Sequence, residues 1–71
     1  MSPAQLRMAR AALKIGIRDL AQSSEVTTAT ITRFENERGG LNSVTAQKLR
    51  TALEAAGIEF IEGGVRLRKT S

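Results

Sequence analysis

The stretch "LAQSSEVTTATITRFE", Leu20 to Glu35, decides how this chain folds. Two apolar patterns flank a cluster of small polar residues, and the second pattern is embedded in Thr and Ala. Leu20 and Ala21 face inward on a short helix expected over about 17–23. Asp19 lies in its first turn, where a carboxylate suits the positive end of the helix dipole. Ser24, Glu25 and Val26 end that helix. Thr27 offers a side-chain oxygen as N-cap to a further helix over about 28–37, with Ile31 and Phe34 inward.

Working outward, Ser2-Pro3-Ala4-Gln5 is a capping-box arrangement with Pro at the first helical position. It opens a first helix with a stripe of Leu6, Ala9 and Leu13, and Ala12 beside it, running to about Ile15 before Gly16. Beyond Arg38-Gly39-Gly40, Asn42 or Ser43 caps a fourth helix, Val44 to Ala56. Val44, Leu49, Ala52, Leu53 and Ala56 are assigned to its inner face and Gly57 to its end. The period then changes to two. "IEFIEGGVRLRK" reads as a hairpin around Gly63-Gly64, in a register that sets Phe60 opposite Leu67 and Glu59 opposite Arg68. Lys69 to Ser71 read as a free tail.

Composition limits what the chain can do. With 71 residues it is one domain near the lower size limit for a self-sufficient core, and it has neither Cys nor His. Disulfides and zinc sites built on those residues are excluded. The seven carboxylates are scattered over different elements, so no nucleophile has an evident base; an enzyme is not expected, and neither is a cofactor. No apolar run is long enough for a signal peptide or a membrane span, which makes a cytoplasmic protein the expectation. Eleven Lys plus Arg against seven Asp plus Glu give a net charge of +4, which favours an anionic partner such as nucleic acid.

Two helices joined by a turn of three or four residues form the unit that presents its second helix to the major groove of DNA. Leu20, Ala21, Val26, Ile31, Phe34 and Glu35 stand in the pattern "LA....V....I..FE". On those residues the chain resembles the lambda-repressor-like, Cro-like (XRE-type) helix-turn-helix regulators, over about Leu6 to Ala56. The resemblance implies a mainly α fold: a four-helix lambda-repressor-like domain over 1–57, with helix-turn-helix about 17–37. A short β-hairpin over 58–69 would replace the family's fifth helix. It also implies a partly buried ion pair between Arg10 and Glu35, with Arg10 close to the DNA backbone. Two places depart from the family pattern. Glu25 holds a turn position usually given to Gly, and Ile17 holds one where Gln commonly bonds a phosphate, a contact that is lost or is replaced by Arg18.

The outward residues of the third helix are Thr28, Ala29, Thr32, Arg33 and Asn36. Small side chains let a helix sit deep in a groove about 12 Å wide, and Thr or Ala methyls can touch thymine methyls. Thr28, Ala29, Thr32 and Arg33 are therefore the expected base contacts. Arg33 is the one long donor able to bond guanine O6 and N7 together. An ion pair with Glu37, four residues on, is the competing role for it. Thr27 and Asn36 resemble family positions that touch phosphates, and Arg38 and the Gly39 amide are expected to do the same.

Such regulators typically bind partly symmetric operators as dimers. The hairpin residues Ile58, Phe60, Ile61, Val65 and Leu67 are the expected dimer interface; a hairpin folded back on its own helices is the alternative. The implied partners are operator DNA, a second copy and, where such a regulator activates, RNA polymerase. A protein-binding module on the same fold, antiactivator or antitoxin-like, is the rival reading, and Ile17 and Glu25 lend it weight.

Overall fold

Each helix begins where the sequence supplies a cap. In a computed structural model, which describes residues 1–68, four helices are followed by a two-stranded hairpin: α1 (Pro3–Leu13), α2 (Ile17–Ser24), α3 (Thr28–Glu35), α4 (Ser43–Ala55), β1 (Ile58–Ile61) and β2 (Gly64–Leu67). The tail expected at Lys69 to Ser71, and with it the last residue of the hairpin unit, lies outside the described residues.

The Ser2 hydroxyl accepts from the Gln5 amide at 3.1 Å, and Gln5 Oε1 accepts from the Ser2 amide at 2.8 Å. Gly16 precedes α2, its amide donating to Asp19 Oδ2 at 3.0 Å. Thr27 Oγ1 accepts from the Thr30 amide, and Asn42 rather than Ser43 caps α4 through the Thr45 amide at 2.8 Å. These side chains satisfy amides that a helix leaves without internal partners.

The helix ends differ from the expected ones because residues other than Gly take left-handed conformations. Lys14 (φ 58°) closes α1 at Leu13 rather than near Ile15, and the Ile15 amide returns to Arg10 O at 3.1 Å. Glu37 (φ 59°) lies beyond the end of α3 at Glu35, and the Arg38 amide returns to Arg33 O at 2.8 Å. Glu25 (φ 60°) follows α2 in the place where the family commonly has Gly. Each such residue costs on the order of 1 kcal/mol.

Leu6 and Ala9 of α1, Leu20 of α2, Val26 of the turn, Ile31 and Phe34 of α3, Leu49 and Leu53 of α4 and Ile58 of β1 form the core. Val44 does not join it and is 64% exposed. It lies five residues before Leu49, which at 100° per residue points it well away from the Leu49–Leu53 face. Ala56, also assigned to that face, is exposed beyond the end of α4.

The hairpin folds back on its own helices, β2 against α1 and β1 against α4. Its register is Ile58↔Leu67, Glu59↔Arg66, Phe60↔Val65 and Ile61↔Gly64, so the two-residue turn is Glu62-Gly63 and not Gly63-Gly64. Only Gly63 (φ 75°) needs the left-handed region; Gly64 pairs within the strand. The expected pairs Phe60–Leu67 and Glu59–Arg68 are replaced by a register two residues away, which leaves every side chain on its expected face. Arg66 takes Glu59 at 2.6 Å, while Arg68 reaches Glu54 O at the end of α4. Ile58 is 1% exposed in the core, and Phe60 and Val65 pack against it, so those three serve the chain's own interior. Ile61 and Leu67 remain exposed.

Gln5 ties the hairpin down. Besides closing the α1 cap, its Nε2 donates to Ile61 O at 2.8 Å and Gly64 O at 3.0 Å, on either side of the turn. Gln5→Glu keeps the acceptor for the Ser2 amide but sets a carboxylate oxygen against two carbonyls. The expected result is a loss of about 1 to 2 kcal/mol in urea unfolding, with faster amide exchange confined to 58–67.

Candidate nucleic-acid interface

α3 is short, eight residues, and a helix of that length is marginal by itself in water. It is held from beneath. Ile31 and Phe34 fill the core, and at its last turn two arginines of α1 close on Glu35. Glu35 is 5% exposed. Arg10 meets its carboxylate in a fork, Nε to Oε2 and Nη2 to Oε1, each at 2.7 Å, and sends Nη1 to Ile15 O at 3.2 Å. The hydrogen bond to Glu35 raises the Arg10 pKa; partial burial opposes that shift and the coulombic attraction adds to it. A raised folded-state pKa on a cation means that its contribution is present at neutral pH and is lost as the pH rises into strong alkali.

Arg7, three residues before Arg10 on the same side of α1, donates from Nη1 to the main-chain carbonyl of Glu35. It answers one of the carbonyls left without an internal partner at the end of α3. Reading the sequence alone missed Arg7; its spacing of three from Arg10 was the available signal.

With α3 anchored inward, Thr28, Ala29, Thr32, Arg33 and Asn36 are all exposed, with Thr27 at the leading end and Arg38 and Gly39 in the loop beyond. These expected contact residues come together around one helix and its two flanking turns. Arg18 on α2 is exposed too. Arg10 is the exception. Its guanidinium commits three of five N–H groups to Glu35 and Ile15, and its side chain is 21% exposed, so its main role is inward. Ile17 likewise turns inward and packs against the core.

The ion pair considered between Arg33 and Glu37 does not form, because α3 ends at Glu35 and Glu37 leaves the helix path. The Arg33 side chain runs instead along the backbone of Gly39. Arg50, another cation of the sequence, is occupied elsewhere: it pairs with Glu54 at 3.0 Å and stacks over Phe60 at 5.1 Å.

Among the described residues no group of His, Cys, Asp and Glu is arranged to hold a metal ion, and no helix is long and apolar enough to cross a membrane. Neither models of known protein families nor curated proteins match the chain.

The Glu35 site makes an asymmetric prediction. Arg10→Met strands a buried carboxylate and is expected to cost about 3 kcal/mol in urea unfolding, whereas Glu35→Gln leaves a partly exposed cation that water can reach and costs less. The double variant Arg10→Met/Glu35→Leu should recover most of the loss. Equal costs for the two single changes would contradict this account.

Proposed function

We propose that the chain is a sequence-specific regulator of transcription that binds double-stranded DNA, with a helix-turn-helix fold of the lambda-repressor-like, Cro-like kind. The observation that carries this reading is the division of α3. Its inner side is fastened by Ile31, Phe34 and Glu35, while its outer side of Thr28, Ala29, Thr32 and Arg33 takes no part in the core. A helix fastened that way can enter a major groove without rearrangement, and small outer residues let it approach the base edges. Arg33 supplies the bidentate contact to guanine. Thr27, Asn36, Arg18, Arg38 and the Gly39 amide set the register on the phosphates. Regulation then follows from occupancy of an operator.

The same reading includes a dimer on a partly symmetric site, with half-sites about 34 Å apart. With Ile58, Phe60 and Val65 committed to the interior, the apolar residues left for a second copy on the hairpin are Ile61 and Leu67, the latter 51% exposed. Sedimentation at micromolar concentration, with and without the selected DNA, is expected to give two copies per site. A single copy on DNA would remove the dimer from the proposal.

A second reading, a protein-binding module with little DNA affinity, draws on Ile17. Its side chain packs inward, where a polar residue would offer a phosphate a hydrogen bond. Fluorescence anisotropy with duplexes selected from random DNA separates the two. The DNA reading expects salt-dependent binding, and Arg33→Ala should lose about 1 to 3 kcal/mol and relax the preference at one base pair. The module reading expects no salt-dependent DNA binding by either protein.

A further inference from the structure

We propose that Gly39 is a specificity-positioning residue: the absence of a side chain there provides the seat on which Arg33 lies, and so sets the direction in which its guanidinium leaves α3. The inference rests on the DNA-binding reading and goes further, because it assigns the aim of the principal base-reading group to a residue outside the helix.

Three observations support it. A Cβ added at Gly39 would stand 3.0 Å from Arg33 Nε, 3.1 Å from Cδ and 3.3 Å from Cγ, tighter than ordinary contact, so the Arg33 side chain would have to give way there by a few tenths of an ångström. Gly39 does not have a positive φ, unlike Gly57 and Gly63, so its backbone gives no reason for glycine. The adjacent Gly40 meets nothing within 4 Å of an added Cβ and also lacks a positive φ. Of two neighbouring glycines, then, one lies under a side chain and the other does not. The loop is held in register with the helix by the Arg38 amide bonded to Arg33 O at 2.8 Å, which fixes the seat relative to the residue that occupies it.

Geometry makes the consequence specific. The atoms in the way belong to a flexible, exposed side chain, so Gly39→Ala is accommodated by moving Arg33 and does not disturb the core. Bidentate bonding to guanine needs the guanidinium plane aligned with O6 and N7 together, and a re-aimed Arg33 keeps its charge while losing that alignment. Gly39→Ala should therefore reduce discrimination more than overall attraction.

The test compares wild type, Gly39→Ala, Gly40→Ala, Arg33→Ala and Gly39→Ala/Arg33→Ala. Each is titrated against a duplex selected from random DNA by the wild-type protein and against single-base-pair variants of that duplex. Gly39→Ala is expected to lose roughly tenfold in discrimination at the one base pair that Arg33→Ala also relaxes, with the Tm not lowered. It should have no further effect when Arg33 is already Ala, since neighbours acting through one contact are not additive. Gly40→Ala should match wild type. Equal weakening on every duplex in both backgrounds, or wild-type discrimination in Gly39→Ala, would overturn the proposal. A readout free of DNA separates this failure from failure of the DNA-binding reading: the Arg33 Nε–H resonance of the free protein should move in Gly39→Ala and stay in place in Gly40→Ala. If it does not move, the seat is absent whatever the protein binds. If it moves and no duplex is bound, the seat stands as a contact but its role in specificity falls with the DNA-binding reading.

Discussion

A carboxylate buried at the C-terminal end of a helix is opposed twice, by desolvation and by the negative end of the helix dipole. Glu35 is in that position, and its burial depends on the two arginines that α1 brings to it. Arg10 neutralises the side chain and Arg7 answers the main-chain carbonyl, so side chain and backbone of one residue are held by neighbours on one adjoining helix. A pair of this kind contributes little net stability compared with apolar residues of the same size. What it can contribute is orientation, since a fork on a carboxylate tolerates less rotation than a contact between aliphatic side chains. In this chain it acts beside the buried Ile31 and Phe34, all on the side of α3 that faces inward.

That constraint explains how a 71-residue chain can leave one face of a helix without apolar bulk. A small domain buries a modest share of its surface, and most amphipathic helices in such domains are held by their own apolar stripe. α3 contributes Ile31 and Phe34 to the core, and its remaining attachment comes from the arginines at Glu35, while Thr27 caps its start and the left-handed Glu37 follows its end. Fastening from beneath and at the last turn leaves the outer face free to carry Thr, Ala and Arg. The hairpin has a similar economy. Two bonds from Gln5 hold its turn while Ile58 fills the core, which settles a two-stranded ribbon that would be marginal by itself.

Local chemistry is where the sequence was most legible. Ser2 with Gln5, Thr27, and Asn42 each cap the helix they were assigned, because capping involves residues within one turn of each other. The inner residues Leu6, Ala9, Leu20, Ile31, Phe34, Leu49 and Leu53 follow from the helical period, and the same period turns Val44, five residues before Leu49, away from the core. Helix ends were harder to place. Lys14 and Glu37 take left-handed conformations that nothing in their side chains advertises. The hairpin register was undetermined for another reason: a slip of two residues preserves both faces, so Phe60 finds Val65 as readily as Leu67, and Glu59 finds Arg66 as readily as Arg68. Arg10 and Glu35, 25 residues apart, were paired through resemblance to a family, because no local period connects them. The path that lays Arg33 across Gly39 depends on the loop and was legible in neither way.

Charge around α3 adds a last constraint on the proposed function. Glu35, Glu54 and Glu59 are each neutralised by an arginine. The exposed charges on α2, α3 and their flanking turns are then Lys14, Arg18, Arg33 and Arg38 against Asp19, Glu25 and Glu37. A face so nearly balanced has a weak general attraction for phosphates, since nonspecific affinity grows with the number of phosphates neutralised. Binding at such a face has to draw on contacts that depend on position: hydrogen bonds from Thr27 and Asn36, methyl contacts from Thr and Ala, and the guanidinium of Arg33. Position-dependent contacts lose most from small errors in geometry. On the proposed reading, a helix anchored from beneath, with Arg33 lying over a glycine, relies on the placement of a few cations and not on a large positive patch.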